Sequence, residues 1–244
     1  MLRIIDDKPA PGPENMARDE ALLALATVPT LRLYGWQPPC LSLGLFQDYA
    51  QVCAQAPAGV PMVRRITGGG TIFHIHEVTY AIIGQLGADG WPNRLRDAYP
   101  LIHGTLLAQL RRHGAQLQRQ PESIGDRRYH QEVRCFASPA TDDLVAANGA
   151  KALGSAGRNR QGRFLVHGSL KLASNPWDGN AVCGCGLDSI ATAKDCLRAT
   201  FTEITGLSAE AGELTPEEAV EAKRIAQARY GDDAWLARRE GPRP

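Results

Sequence analysis

"VPMVRRITGGGTIFHIHEVTYAIIG", residues 60–84, sets β-branched and aromatic residues on both sides of three consecutive glycines, and reads as strand, glycine loop and further strands. Glycines at Gly68, Gly69 and Gly70 let successive N–H groups turn toward one point, an anion-receiving concavity, and let a ligand lie against bare backbone. Arg64 and Arg65 supply forked donors beside it. A glycine-rich hairpin with solvated arginines fits the same residues. No Gly-Lys-Ser/Thr follows the loop, so it is not a nucleotide-binding Walker loop, and a dinucleotide G-x-G-x-x-G is also missing.

Outward from this stretch, toward the N-terminus, Leu2 to Ile5 predicts a short strand, and Asn15, closing a Pro/Gly run, predicts the N-cap of a helix over "MARDEALLALA". "TLRLYGW" and "CLSLGLF" predict two strands joined by "QPP", and "DYAQVCAQA" a helix. Toward the C-terminus, apolar residues at helical spacing predict a helix from Asn93 to His113. After the polar span "RQPESIGDRRYHQEVR", residues 135–173 alternate around "NG" and a second glycine- and arginine-rich loop, as hairpin-linked strands do. "IATAKDCLRATFTEITG" and "TPEEAVEAKRIAQARYGDDAWLARR" predict one helix each, with Thr215, Pro216 and Glu218 as the start signal of the second. The expectation is a single α+β unit over 1–244, a mixed sheet core flanked by helices, with a helical C-terminal segment at about 190–240.

The 244 residues carry Lys+Arg 27 against Asp+Glu 26, a formal net charge of +1 that advertises neither nucleic acid nor an anionic membrane. The start, "MLRIIDDKPAPGPENM", has no apolar signal core and no later run approaches a membrane span, so the reading is cytoplasmic. Without heptads or a long apolar edge strand, the expectation is a monomer. Six cysteines, at 40, 53, 135, 183, 185 and 196, read as free thiols, with Cys40, Cys53 and Cys196 as inert buried ones. Zinc at Cys183 and Cys185 would need two more ligands that no spacing supplies, so no metal is expected.

Five stretches occur in one order: "NMARDEALL", "PTLRLYGWQPPCLSLGLFQ", "RRITGGGTIFHIHEVTYAII", "CFASPATDDLVAANGAKALGSAGRNR" and "LVHGSLKL". Together they resemble the lipoate-protein ligase A and octanoyltransferase family, which shares the biotin/lipoate ligase fold, over roughly residues 13 to 172. The resemblance implies a mixed sheet whose pocket holds an octanoyl or lipoyl chain destined for a lysine on a carrier domain. "CF" at Cys135, followed by "GAKALGSAG", is similar to the cysteine-dependent octanoyltransferase branch. It implies Cys135 as nucleophile, with Lys151 reaching the acyl carbonyl, where an ammonium would lower the thiol pKa and stabilise an oxyanion.

The remaining matches imply a substrate pocket built from Gly154, Ser155, Ala156, His167 and Gly168, with His74 and Tyr80 along the acyl tunnel and Leu41, Leu43 and Leu45 as its apolar wall. Arg158 is implied as a donor toward a pantetheine phosphate or the carrier surface. Gly70 is the form associated with ATP-dependent ligases. Ile75 stands where an aspartate is usual, leaving that polar contact to His76 or Glu77, and Gly157 replaces a glutamine, loosening its loop. "VCGCGL" makes Cys185 a second candidate nucleophile.

Three hypotheses stay open. A transferase would take octanoyl from acyl carrier protein through a Cys135 thioester, needing no cofactor, and pass it to a lipoyl domain of a 2-oxoacid dehydrogenase or a glycine-cleavage H-type carrier. An ATP-dependent lipoate ligase would need ATP and Mg²⁺. A non-catalytic lipoyl-binding protein would use the same fold.

Overall fold

The computed structural model describes residues 1–125 and 129–240; residues 126–128, within the polar span, and 241–244 lie outside it. Its main sheet has eight strands in the order β11-β1-β2-β6-β10-β9-β8-β7. These are β1 (Leu2–Asp6), β2 (Thr30–Tyr34), β6 (Glu77–Gln85), β7 (Gln118–Arg119), β8 (Leu144–Val145), β9 (Lys151–Arg160), β10 (Arg163–Lys171) and β11 (Ala209–Ala211). The pairs β11-β1 and β1-β2 are parallel; from β2 onward every pair is antiparallel, so the sheet is mixed as expected. A second, three-stranded sheet, β4-β3-β5, joins β3 (Cys40–Leu43), β4 (Met62–Arg64) and β5 (Ile72–His74).

Period-two alternation in β6 divides the core. Val78, Tyr80 and Ile82 face α3 (Leu95–Arg112) and α4 (Ile190–Thr205), while Ala81 and Ile83 face α1 (Gly12–Leu25) and α5 (Pro216–Ile225). With both faces covered, the central strands are buried almost throughout. Among the described residues no helix is long and apolar enough to cross a membrane.

Several local expectations need correction. Helix α1 starts at Gly12 behind Pro11, with proline inside its first turn, and not at Asn15. Asn15 is buried one turn in, where its amide donates to the carbonyls of Ala10 and Gly35 and accepts from Arg32. The C-terminal segment is interrupted by β11, which adds a parallel strand to β1. The last predicted helix divides into α5, a π-turn at Ala226–Tyr230 and α6 (Asp233–Arg238). Its Thr215–Glu218 start signal forms a reciprocal capping box. Cys40 and Cys196 are buried, but Cys53, on α2 (Tyr49–Gln55), is exposed, because only Val52 of that two-turn helix is buried.

Candidate active site

Lys151 opens β9 immediately after the "NG" turn and a register shift against β8, and its carbonyl receives the N–H of Cys183 at 3.0 Å. Cys135 lies on a loop held to the end of the glycine loop: Thr71 N–H donates to Val133 O at 2.7 Å, and Cys135 N–H to Thr71 O at 2.8 Å. Gln47 fastens both, donating to Val133 O at 2.9 Å and accepting from Thr71 Oγ1 at 2.8 Å. The result brings residues 16 apart in sequence together: Lys151 Nζ is 3.4 Å from Cys135 Sγ and 3.3 Å from the Cys135 carbonyl.

An ammonium only 2% exposed needs a counter-charge, and Asp143 supplies it at 2.7 Å. Burial alone would lower the Lys151 pKa; the Asp143 carboxylate and the Cys135 sulfur outweigh it and hold the ammonium above the ordinary lysine value. Gly154 makes room, since a Cβ there would lie 2.6 Å from Nζ. Phe136, fully buried behind Cys135, has its ring centroid 5.2 Å from Lys151 Nζ and 5.0 Å from Lys171 Nζ. Tyr129 also faces this cluster, its phenol pushed up to about 12 by burial and then by the Cys135 sulfur.

The two arginines beside the glycines are fastenings. Arg65 is fully buried and donates to the carbonyls of Ser42, Gly68 and Gly70 at 2.6, 2.7 and 2.7 Å. Arg64, on β4, donates to Gly44, Leu45 and Gln47 carbonyls and, at 2.7 Å, to Leu236 O in α6. The forked donors expected to meet an anion therefore meet backbone. Only Gly69 of the three takes a left-handed φ, +90°. Gly70 is demanded by space, because a Cβ would fall 2.5 Å from the Tyr129 ring and 2.9 Å from Cys135 Cα.

A narrow cavity of about 20 Å³, room for little more than one water, lies between α1 and the two sheets, and Arg65, His74, Ala156, His167 and Gly168 line it among the expected residues. Ile72, also in its wall, packs on Cys135 and Phe136, so the Cys135 loop borders the cavity. His74 stacks on Trp36 at 3.7 Å. It donates from Nδ1 to Glu77 and accepts at Nε2 from the Ser42 hydroxyl, both at 2.7 Å. Burial pushes its pKa down to about 4, so it is neutral at physiological pH. Glu77 thus takes up the contact that Ile75 cannot make. It also accepts from Thr79, Ser169 and Lys171, whose charge outweighs burial and keeps the carboxylate ionised. His167 sits between Thr67 Oγ1, at 2.7 Å, and Asp19, at 3.2 Å.

Other expected residues lie elsewhere. In β3 it is Ser42 that faces the cavity; Leu41 and Leu43 point away by alternation, Leu43 onto Val52 and Val133, and Leu45 packs against the core cluster on the α1 side of the sheet. Tyr80 is on the opposite sheet face, where its hydroxyl and Ser155 Oγ are 2.7 Å apart and His103 Nε2 is 2.7 Å from the same Oγ. Gly157 is not in a loop: "GSAG" runs inside β9, and a Cβ at 157 would meet Leu165 O and Tyr99 OH at 2.9 Å. Arg158 donates to Ile66 O at 3.2 Å. Cys185, the alternative nucleophile, is buried in the α3/α4 core, its pKa pushed up to about 11 by burial. The sequence reading missed Asp143, Tyr129, His103, Gln47 and Ser42; a lysine opening a strand after "TDDLV" was the one signal that pointed to a counter-charge.

A family model, the lipoyl protein ligase A/B catalytic domain, matches residues 11–222. The chain belongs to that family. Among its relatives, octanoyltransferase LipM of Symbiobacterium thermophilum is 32% identical, over 97% of this chain and 98% of its own. That of Kyrpidia tusciae is 32% identical over 92% and 94%. A solved lipoate-protein ligase A bound with ATP superposes with a TM-score of 0.77 at 19% identity, covering 96% of this chain and 98% of its own. The bi-partite lipoate protein ligase of Thermoplasma acidophilum gives 0.72 at 18%, covering 97% and 95%. At these identities the two structures share the fold with this chain, a mixed sheet flanked by helices.

Proposed function

We propose that the protein is an octanoyltransferase that carries its acyl group as a thioester on Cys135. The 3.4 Å approach of Lys151 Nζ to Cys135 Sγ, beside the slim cavity, is the observation that carries the reading. An amine does not attack a free carboxylate at useful rates, so the acyl group must arrive activated. The Cys135 thiolate attacks the thioester of octanoyl-acyl carrier protein, and the Lys151 ammonium stabilises the oxyanion while the carrier thiol leaves. A lysine of a lipoyl-carrier domain, either a 2-oxoacid dehydrogenase lipoyl domain or a glycine-cleavage H-type protein, then takes the octanoyl group as an amide.

Residues around the cavity hold the chain. Burying it contributes about 0.8 kcal/mol per methylene, and because the cavity is far smaller than an eight-carbon chain, its walls must move apart to admit one. The relatives named octanoyltransferase, matched over nearly their whole length, support this reading over the adenylate route of a lipoate ligase. Arg64 and Arg65, the cations nearest the glycine loop in sequence, direct most of their donors to backbone carbonyls, which leaves few for a nucleotide phosphate. The test is an intact-mass spectrum after incubation with octanoyl-acyl carrier protein. A gain of one octanoyl group that disappears in Cys135→Ala supports the thioester; carrier modification that needs ATP and free acid, with no adduct, overturns it.

A further inference from the structure

We propose that Asp143 is a positioning residue for the second half-reaction, keeping the Lys151 ammonium charged and in place once the Cys135 sulfur has been acylated. The inference rests on the thioester route above.

Lys151 Nζ faces three acceptors: Asp143 Oδ2 at 2.7 Å, Cys135 O at 3.3 Å and Cys135 Sγ at 3.4 Å. In the free enzyme two of them can carry negative charge, the carboxylate and the sulfur. Acylation converts the sulfur to a neutral thioester and leaves the carboxylate alone. The other titratable groups facing Lys151 cannot replace it. Tyr129, on the Cys135 side, keeps its phenol proton, its pKa pushed up to about 12. His103 of α3 is held neutral by burial. Lys171, across the Phe136 ring, is itself a cation paired with Glu77. An ammonium this deeply buried would shed its proton without Asp143 and lose its power to stabilise an oxyanion. Asp143 is itself fixed, since the same Oδ2 accepts the Ala140 N–H at 2.7 Å.

The step in question is balanced simply. The neutral amine of the acceptor lysine attacks the thioester carbonyl, the C–N bond forms, the C–S bond breaks, and the amine's proton ends on the Cys135 sulfur. Charge on the carbonyl oxygen peaks midway, when no thiolate is present to hold Lys151 ionised.

Single-turnover mass spectrometry separates the halves: acylation by octanoyl-acyl carrier protein, then transfer from isolated acyl-enzyme to a lipoyl domain across roughly pH 7 to 9. In Asp143→Asn we expect transfer to fall at least about tenfold more than acylation, about the loss of 1.4 kcal/mol in one barrier. The wild-type transfer rate climbs with pH as the acceptor amine deprotonates, and in Asp143→Asn that climb is cut off as Lys151 loses its proton. Asp143→Glu, which keeps the charge, should restore the climb. Equal losses in both halves, or an Asp143→Asn pH profile like wild type, overturn the proposal. Should Asp143→Asn fail to fold, the Glu variant and the wild-type profile still decide: a wild-type climb that is itself cut off overturns it. A wild-type enzyme that never gains an octanoyl group removes the thioester reading instead.

Discussion

A Cβ on Gly154 would stand 2.5 Å from Lys151 Cε and 2.6 Å from Nζ, so the hydrogen at position 154 is what allows the ammonium to reach Cys135. Gly154→Ala should therefore displace the amine while leaving the β9-β10 ladder paired. We expect octanoyl transfer to fall by about 10²-fold, the scale of losing one oxyanion donor, with a melting temperature near that of wild type. Single-turnover acylation and a thermal melt on the same sample check it; normal acylation would detach the lysine's position from the chemistry.

Lys151→Ala leaves Asp143 as an uncompensated buried carboxylate. Burial of the pair makes its loss a cost to folding as well as to catalysis. Transfer should drop by about 10²–10³-fold, and stability by about 3–5 kcal/mol, as when one partner of a buried pair is removed. Denaturant unfolding beside the kinetic assay measures both.

Adjacent glycines should respond differently. Gly70→Ala drives a methyl group into the Tyr129 ring and the Cys135 backbone, and should lower acylation at least about tenfold and stability by about 1–3 kcal/mol. Nothing lies within 4 Å of a Cβ built on Gly68, so Gly68→Ala should change stability by less than about 1 kcal/mol and leave acylation near normal. Equal sensitivity of the two positions would contradict the packing of the Cys135 loop on residue 70.

Ala156→Phe should block the narrow cavity and abolish octanoyl adduct formation without unfolding the sheet. Intact mass and a melting curve give the two readouts, and undiminished adduct formation would move the acyl chain elsewhere.

His74, its folded-state pKa pushed down to about 4 against an ordinary value of 6.5, binds its proton more readily when unfolded. The stability it contributes is complete above about pH 6.5 and is lost as pH falls toward 4, a loss of about 3 kcal/mol if the whole shift is realised. Melting curves across that range should show the decline, and His74→Gln should shallow it. Cys135 acylation should be insensitive to His74 protonation above about pH 6.

The mixed sheet was legible because strand-like alternation and glycine turns recur along residues 60–84 and 135–173, and the capping box at Thr215 because its signal is local. The site was legible only as an ordered set of motifs. Cys135 and Asp143 meet Lys151 through a loop crossing and a register shift, neither of which leaves a periodic trace. Arg64 and Arg65 were read only in part, because charge beside glycine looks alike in sequence whether it awaits a ligand or ties down carbonyls. The leucines of "CLSLGLF" misled by one step of alternation, which turned Ser42 toward the cavity in their place.

Arg64 holds the carbonyls of Gly44, Leu45 and Gln47 from the middle of the chain and that of Leu236 from its end, and Trp235 Nε1 donates back to Arg64 O at 2.9 Å. During synthesis the residues that frame the acyl slot emerge from the ribosome long before the helix that bolts them down. The Cys135 loop of a nascent chain therefore stays on an unfinished mount until α6 has been made and Arg64 has closed onto Leu236.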